Sequence, residues 1–405
     1  GPMRGFGSPQ IFFVQQRQMN RIANDLGIDM VEMQRLNLVE PDGMDMRFMQ
    51  PHGNPRPQDC LQKALELIDY EHAALEQKQS QGQRYRIGVG IGVGAHGNGM
   101  FGVRTDITAL MLKMNDDGSA VLFSGSHDMG NASITLQEQI VSEVLGIAME
   151  HIECVQADTD STGYHLGDYS SRGAYVSGHA AVKVAEKMRR ELVKEAAELL
   201  EVKECEISLH DDAAFTPSGK SVSLAEVVQH ARHKNQRELI CATTYGAEAL
   251  VTSYGAHAVK VRVDTETGKV ELLDYAAVHD VGRALNPMSV EGQIEGAIQM
   301  GMGYALCEGL EIDEKGRLKN ATLRKYHLIQ ANEMPKQLHV ALVEKIEESG
   351  PYGAKSIGEC SVVPSAAAIG NAVANAIQCE ICRLPIKPEV VLEALKQQKK
   401  GHQEI

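Results

Sequence analysis

Acid outweighs base in this chain of 405 residues: 54 Asp and Glu face 40 Lys and Arg, a formal net charge of −14. The dense basic cluster Lys396–Lys400 is terminal and reads as a frayed helix end, so no nucleic-acid partner is expected. No membrane partner is expected either, since no apolar run nears the roughly twenty residues that span a bilayer. The eight cysteines are widely spaced and do not form a disulfide framework, which predicts a reduced, cytoplasmic protein of two or three domains. Cys379 and Cys382 form a CxxC without a second pair at metal-finger spacing and read as buried thiols.

The chain opens on Gly1-Pro2-Met3-Arg4-Gly5-Phe6-Gly7 without an initiator methionine. A helix pattern follows from Pro9 to Leu26, with Ile11, Val14, Met19, Ile22 and Leu26 as its apolar positions. A Pro/Gly/Asn-rich connection covers Pro41 to Pro57, and a helix is expected over Gln58–Lys78. The polar segment after it places a domain boundary near residue 83, dividing the chain into 1–83 and 84–405. Ile87 to Gly94 alternates glycine with apolar residues, and Asp106–Met114 and Ala120–Ser124 read as strands around a turn. An amphipathic helix over Ala132–Leu145, a strand at Ile152–Gln156 and a long helix over Ala174–Leu200 follow. Val259–Val263 and Lys269–Val278 form a hairpin, while Val290–Cys307 and Pro364–Ile377 are small-residue helices suited to close packing. Strands and helices mix without strict alternation, so the fold class is α+β with two subdomains and mixed sheets packed with helices.

Gly92-Val93-Gly94-Ala95-His96-Gly97 matches the dinucleotide pattern G-x-G-x-x-G, but that pattern works only where a helix begins inside it. A strand pattern follows instead, and nicotinamide binding is a distant third reading. Other glycine-punctuated segments carry more. Gly125 to Ser133 joins a strand to a helix, where free backbone N–H groups could meet a phosphate or pterin oxygen, or a simple capped turn could sit. Gly167-Asp168-Tyr169-Ser170-Ser171-Arg172-Gly173 repeats the arrangement, with two hydroxyls and a guanidinium suited to an anion. Gln293 lies within the glycine-punctuated Gly292-Gln293-Ile294-Glu295-Gly296, and Arg4-Gly5-Phe6-Gly7 puts a cation and an aromatic face on a glycine-hinged loop. Gly358-Glu359-Cys360 isolates one carboxylate ahead of an apolar helix, costly to bury without a task.

Taken in order, these segments resemble the molybdenum-binding large subunit of the xanthine dehydrogenase family of molybdenum hydroxylases. Further landmarks are Gln139-Ile140, Leu145-Gly146-Ile147, Val263-Asp264, His279-Asp280-Val281-Gly282-Arg283, Asn286-Pro287 and Gly301-Met302-Gly303. The resemblance runs over essentially the whole chain. It implies that Glu359 is the general base toward a molybdenum-bound hydroxyl, with hydride passing to a sulfido or selenido ligand. Arg4 matches the loop at cofactor and substrate, and Phe6 offers a ring to an aromatic substrate. Gly130, Asn131 and Ala132 match a pterin-binding turn, and Ser170, Ser171, Arg172, Gly173, Gln293 and Gly358 match further pterin contacts. No side chain is expected to ligate the metal, because the pterin dithiolene holds it.

The same resemblance implies molybdenum-molybdopterin, with the cytosine dinucleotide form an open alternative, and a purine, a related N-heteroaromatic or an aldehyde as substrate. Iron–sulfur and flavin subunits, and the preceding molybdopterin-binding part, are the implied partners in a dimer of heteromers; the chain then reads as a C-terminal piece, inactive alone. Residues 1–83 would be the end of the first molybdopterin-binding domain and 84–405 the second. Asn131 and Ala132 stand where Gln and Gly are usual, and Cys360-Ser361 where Pro-Pro is common. A non-catalytic cofactor-handling or assembly module of the same fold is the second reading.

Overall fold

In the computed structural model, which describes residues 3–41, 43–46 and 49–401, the chain begins with α1 (Ser8–Leu26), α2 (Met30–Asn37), β1 (Met44–Asp45), β2 (Gln50–Pro51), α3 (Pro57–Leu67), α4 (Tyr70–Gln79) and β3 (Tyr85–Gly97). There follow β4 (Ile107–Met114), β5 (Ala120–Ser124), α5 (Ser133–Leu145), β6 (Ile152–Gln156), α6 (Gly178–Leu200), β7 (Ser208–His210), β8 (Ala213–Phe215), β9 (Ser221–Ser223), α7 (Leu224–His233) and β10 (Ile240–Gly246). The last third holds β11 (Thr252–Asp264), β12 (Val270–Asp280), α8 (Pro287–Leu306), β13 (Gln337–Val343), α9 (Ser365–Ile377) and α10 (Pro388–Gly401). Part of the Pro41–Pro57 connection and the tip of the Lys396–Lys400 cluster lie outside the described residues or side chains.

Residues 1–97, 251–347 and 357–405 gather in one compact unit, and 98–250 with 348–356 in a second. The boundary expected near residue 83 does not separate compact units. The Ser80 hydroxyl and Gln77 carboxamide, just before it, accept the Ile87 and Val89 N–H groups of β3, just after it. The single helix expected over Gln58–Lys78 is two, broken at Asp69, which takes a left-handed φ of 47°.

The first unit is built on a four-stranded sheet in the order β13-β12-β11-β3. β3 and β11 pair antiparallel with Gly94 opposite Gly255, and β12 pairs parallel with β13. The glycine alternation of β3 has a steric cause. A Cβ on Gly88 would lie 2.0 Å from the Ala372 carbonyl oxygen, and one on Gly90 would lie 2.1 Å from the Ala372 nitrogen. This glycine face admits the alanine-rich α9 backbone to backbone, while Val89, Ile91 and Val93 fill the opposite core with Leu61, Ala64 and Ile68. Cys360–Ile377 is long and apolar enough to cross a membrane, but 94% of it is buried inside the protein.

β3 is an edge strand, and an unpaired edge must be covered or satisfied. Asn371 and Asn375 of α9 donate to the Ile91 and Val89 carbonyls, and Gln16 of α1 accepts the Val93 N–H at 3.2 Å. That explains a reversal in α1. Its expected apolar stripe is largely outward, with Ile11, Val14, Ile22 and Leu26 exposed, while Gln16, Arg17 and Asn20 are buried. Arg17 donates to Asn371 and pairs with Glu380, so the polar face is the one this edge requires.

The second unit holds the sheet β10-β4-β5-β6 and the small antiparallel meander β7-β8-β9. β5 and β6 run parallel, joined by α5 as crossover. α6 buries Val184, Met188, Leu192 and Ala196 completely, on the stripe the sequence predicts. Every cysteine is a free thiol, but Cys382 is exposed and Cys379 only partly buried, so the CxxC is not the buried pair expected. It lies in the irregular turn after α9, where little covers it.

Candidate active site

In the first unit, three segments far apart in sequence meet around Glu359. The segment before α1 turns tightly, with Gly5, Phe6 and Gly7 all at positive φ. A Cβ on Gly5 would lie 2.8 Å from the Pro9 ring, so the turn needs glycine there. It carries Arg4 inward, where Nε donates to the Gly358 carbonyl. Nη2 reaches the Gln293 carbonyl (3.2 Å), its Oε1 (3.1 Å) and the Ser361 hydroxyl (2.9 Å). Every one of these acceptors is neutral. Burial lowers the Arg4 pKa to about 10, opposed by the Glu359 charge, so the guanidinium stays cationic.

Glu359 is 13% exposed at its side chain, and its Oε1 accepts the Gly5 N–H at 3.2 Å. On its other side Oε2 lies 3.6 Å from Nδ1 of His96, a side chain only 9% exposed at the end of β3. Behind it the Cys360 thiol donates to the Ser253 carbonyl of β11 at 3.3 Å. Gln293 sits on α8, which Asn286 caps by accepting the Ser289 N–H and Pro287 starts. Arg4, Gln293, Gly358 and Glu359 are thus one cluster. Phe6 is 66% exposed on the same turn. Sequence reasoning missed His96 and Gly5: His96 lay inside the rejected dinucleotide pattern, which indeed continues as strand β3 to Gly97.

In the second unit the predicted turn Gly130-Asn131-Ala132 lies at the C-terminal end of the β5 chain path, leading into α5. Its amides are not free as the sequence suggested. Asp128 Oδ1 accepts the Gly130, Asn131 and Ala132 N–H groups at 2.8, 3.1 and 3.3 Å. A short acidic side chain two residues upstream can fold back in this way, and it meets the positive end of α5 itself.

Ser170 and Ser171 both hold left-handed backbone, and Ser170 exchanges hydrogen bonds with Gly99. Arg172 has a different task from the anion contact expected of it. Its side chain is fully enclosed and donates to Asp106 (2.9 and 2.6 Å), the Ile107 carbonyl, the Thr108 hydroxyl and His165. Gly173 opens the turn into α6. His127 and Asp168 tie the two segments: Asp168 Oδ2 accepts the His127 N–H at 2.6 Å and lies 3.0 Å from its Nδ1. Burial raises the Asp168 pKa and pushes that of His165 down to about 3, with Arg172 adding to the latter.

A molybdenum-pterin group fits these residues on the chemistry of the donors. Among the described residues the histidine–carboxylate group tight enough for a bare cation is Glu195, Glu198 and His230, and Arg237 and Asn235 already bind its carboxylates. Around Glu359 there are a cation and amides instead. That set suits an anionic organic ligand carrying its own metal.

Comparison with known proteins places the chain. Residues 63–335 match a family model described as molybdopterin cofactor-binding domain, and residues 1–38 match a second of the same description. The chain is similar to the xanthine dehydrogenase molybdenum-binding subunit of Escherichia coli O157:H7, at 31% identity over 97% of this chain and 53% of that protein. The aldehyde oxidoreductase of Megalodesulfovibrio gigas is 28% identical over 97% of this chain and 41% of its own length. Among solved structures, quinoline 2-oxidoreductase from Pseudomonas putida 86 superposes with a TM-score of 0.89 at 26% identity, covering 97% of this chain and 53% of that one. The chain spans about half the length of the curated relatives it matches.

Proposed function

The chain belongs to the molybdopterin cofactor-binding family of molybdenum hydroxylases, and on that premise we propose that it is the part of a molybdenum subunit carrying the catalytic base, acting on a purine or related N-heteroaromatic. The observation that carries this reading is the convergence of Arg4, Gly5, His96 and Gln293 on Gly358-Glu359. When bound, the molybdenum-pterin group supplies the redox chemistry that hydroxylates an electron-poor carbon.

The chain's own residues supply proton handling and position. Glu359 accepts the proton released in hydroxylation, its carboxylate fixed by the Gly5 N–H and a nearly closed surround. Arg4 and Gln293 would hold polar groups of the cofactor, with the Gly358 backbone beside them. Phe6 presents an exposed ring on which a planar heterocycle can lie. Ser170, Ser171 and Gly173 belong to a polar segment of the second unit kept in shape by the Arg172–Asp106 pair. Electron transfer to iron–sulfur and flavin partners, and the preceding half of the subunit, belong to the same proposal. The free thiols of the chain support a reducing, cytoplasmic setting.

The test is to co-express the chain with the preceding half and redox partners, then assay molybdenum per polypeptide and hydroxylation of purines. Near-stoichiometric metal with turnover is expected, and Glu359→Gln should lower turnover by about 10²–10⁴-fold with metal content intact. A folded assembly without molybdenum would overturn the reading in favour of a non-catalytic module.

A further inference from the structure

We propose that His96 is a positioning residue for Glu359, an inference that rests on the reading above and adds a member to the site. Two distances define its geometry. His96 Nδ1 lies 3.0 Å from the Gly97 carbonyl oxygen and 3.6 Å from Glu359 Oε2. A carbonyl only accepts, so Nδ1 carries the ring proton, and its N–H, bonded to that carbonyl, stands beside the carboxylate. The other carboxylate oxygen, Oε1, takes the Gly5 N–H at 3.2 Å. The two oxygens of Glu359 therefore face donors from two different segments, which hold the plane of the carboxylate.

His96 can do this because of where it stands. It occupies the last turn of the pleat in β3, paired with Ser253 of β11, and both partners of the contact are nearly closed to water. The other groups named around Glu359 come from several elements. Arg4 comes from the N-terminal segment, Cys360 follows Glu359 with its thiol on Ser253 O, and α8 contributes uncharged Gln293. Tyr254 of β11 interacts with Cys360, and His279 of β12 with Arg4. All remain unchanged in the variants below, so differences isolate His96.

In the assembled enzyme, His96→Phe keeps a ring and removes the donor. Turnover per bound molybdenum should fall about tenfold with KM within about twofold. His96→Gln, whose amide donates, should restore most of the rate. A merely structural role would lower stability or cofactor content and leave turnover per bound molybdenum unchanged, and that result overturns the proposal.

A second readout needs no cofactor. In the 405-residue chain, the His96 imidazole resonance, identified by its loss in His96→Gln, is recorded by NMR at one fixed pH. Glu359→Gln should shift that resonance, because the carboxylate beside Nδ1 is gone. An unchanged resonance overturns the proposal. If the wild-type assembly hydroxylates nothing while this linkage is seen, the functional reading fails and the His96–Glu359 coupling stands.

Discussion

Two arginines, one in each compact unit, are placed by the fold in opposite ways. Arg172 is wholly enclosed and spends its donors on a carboxylate, Asp106, and on the strand edge beside it. Arg4 is partly buried and, among the described residues, donates to neutral oxygens, of Gly358, Gln293 and Ser361. The first is a neutralised pair that holds a loop. The second keeps its charge uncancelled by direct contact, with Glu359 near enough to act on it through space. Buried charge is tolerated when paired, and left unpaired where a ligand or a reaction is to use it.

Breaking the structural arginine should cost most. Arg172→Met leaves Asp106 buried without its cation, a loss of about 3–5 kcal/mol. Urea denaturation should show it, and the double variant Arg172→Met with Asp106→Leu should recover a large part. Arg4→Met should cost less than about 2 kcal/mol, because the acceptors it leaves are neutral, yet it should deplete pterin in the assembled enzyme. Equal stability losses in the two variants would erase the distinction. Next in size is Gly90→Ala, whose new methyl would sit 2.1 Å from the Ala372 nitrogen of α9. Both partners are backbone-borne, so we expect about 2–3 kcal/mol from the displaced helix, read in the same denaturation.

The contrast between α6 and α1 shows what was legible. The stripe Val176, Ala180, Val184, Met188, Leu192, Ala196, which runs from the turn before α6 along it, is buried throughout, since its partners are apolar and any apolar period reports them. α1 reads wrongly because its inner face answers a strand edge tens of residues away: Gln16 exists to accept the Val93 N–H, and no helical period encodes that. The β3 glycines and the alanines of α9 were visible as two small-residue runs, and the fold joins them. At the site, Arg4, Gln293 and Gly358-Glu359 were legible through resemblance, and they converge. His96 was hidden because its residue type suits a strand end as well as a site. Arg172 looked like an anion contact because its partner, Asp106, lies 66 residues upstream.

Acid should strain both units. His257 and His279 in the first are completely buried and bonded to each other, Nε2 to Nε2 at 2.9 Å. Burial depresses both, His279 to about 3, as it does His165 in the second unit, where Arg172 adds to it. A folded-state pKa below the unfolded value of about 6.5 means the unfolded chain binds more protons in acid. Their stability is complete above pH 6.5 and is lost as pH falls toward 3, by up to about 1.4 kcal/mol per histidine per pH unit. Urea midpoints at pH 7.5 and 5.5 check this, and His165→Gln, removing one such group, should flatten the slope. An unchanged slope would mean His165 is protonated in the fold.

The smallest effect separates strain from use within the site turn. Phe6 holds φ 53° although it has a side chain, and its ring is 66% exposed, so little packing offsets the left-handed backbone. Phe6→Gly should stabilise the chain by about 1 kcal/mol through relief of that conformation. If the ring is a surface for a planar substrate, the same change should raise KM for purines by about tenfold. Opposite signs in the two measurements identify a residue strained for function. A variant that is less stable, with KM unchanged, would make Phe6 an ordinary part of the turn and move substrate recognition elsewhere.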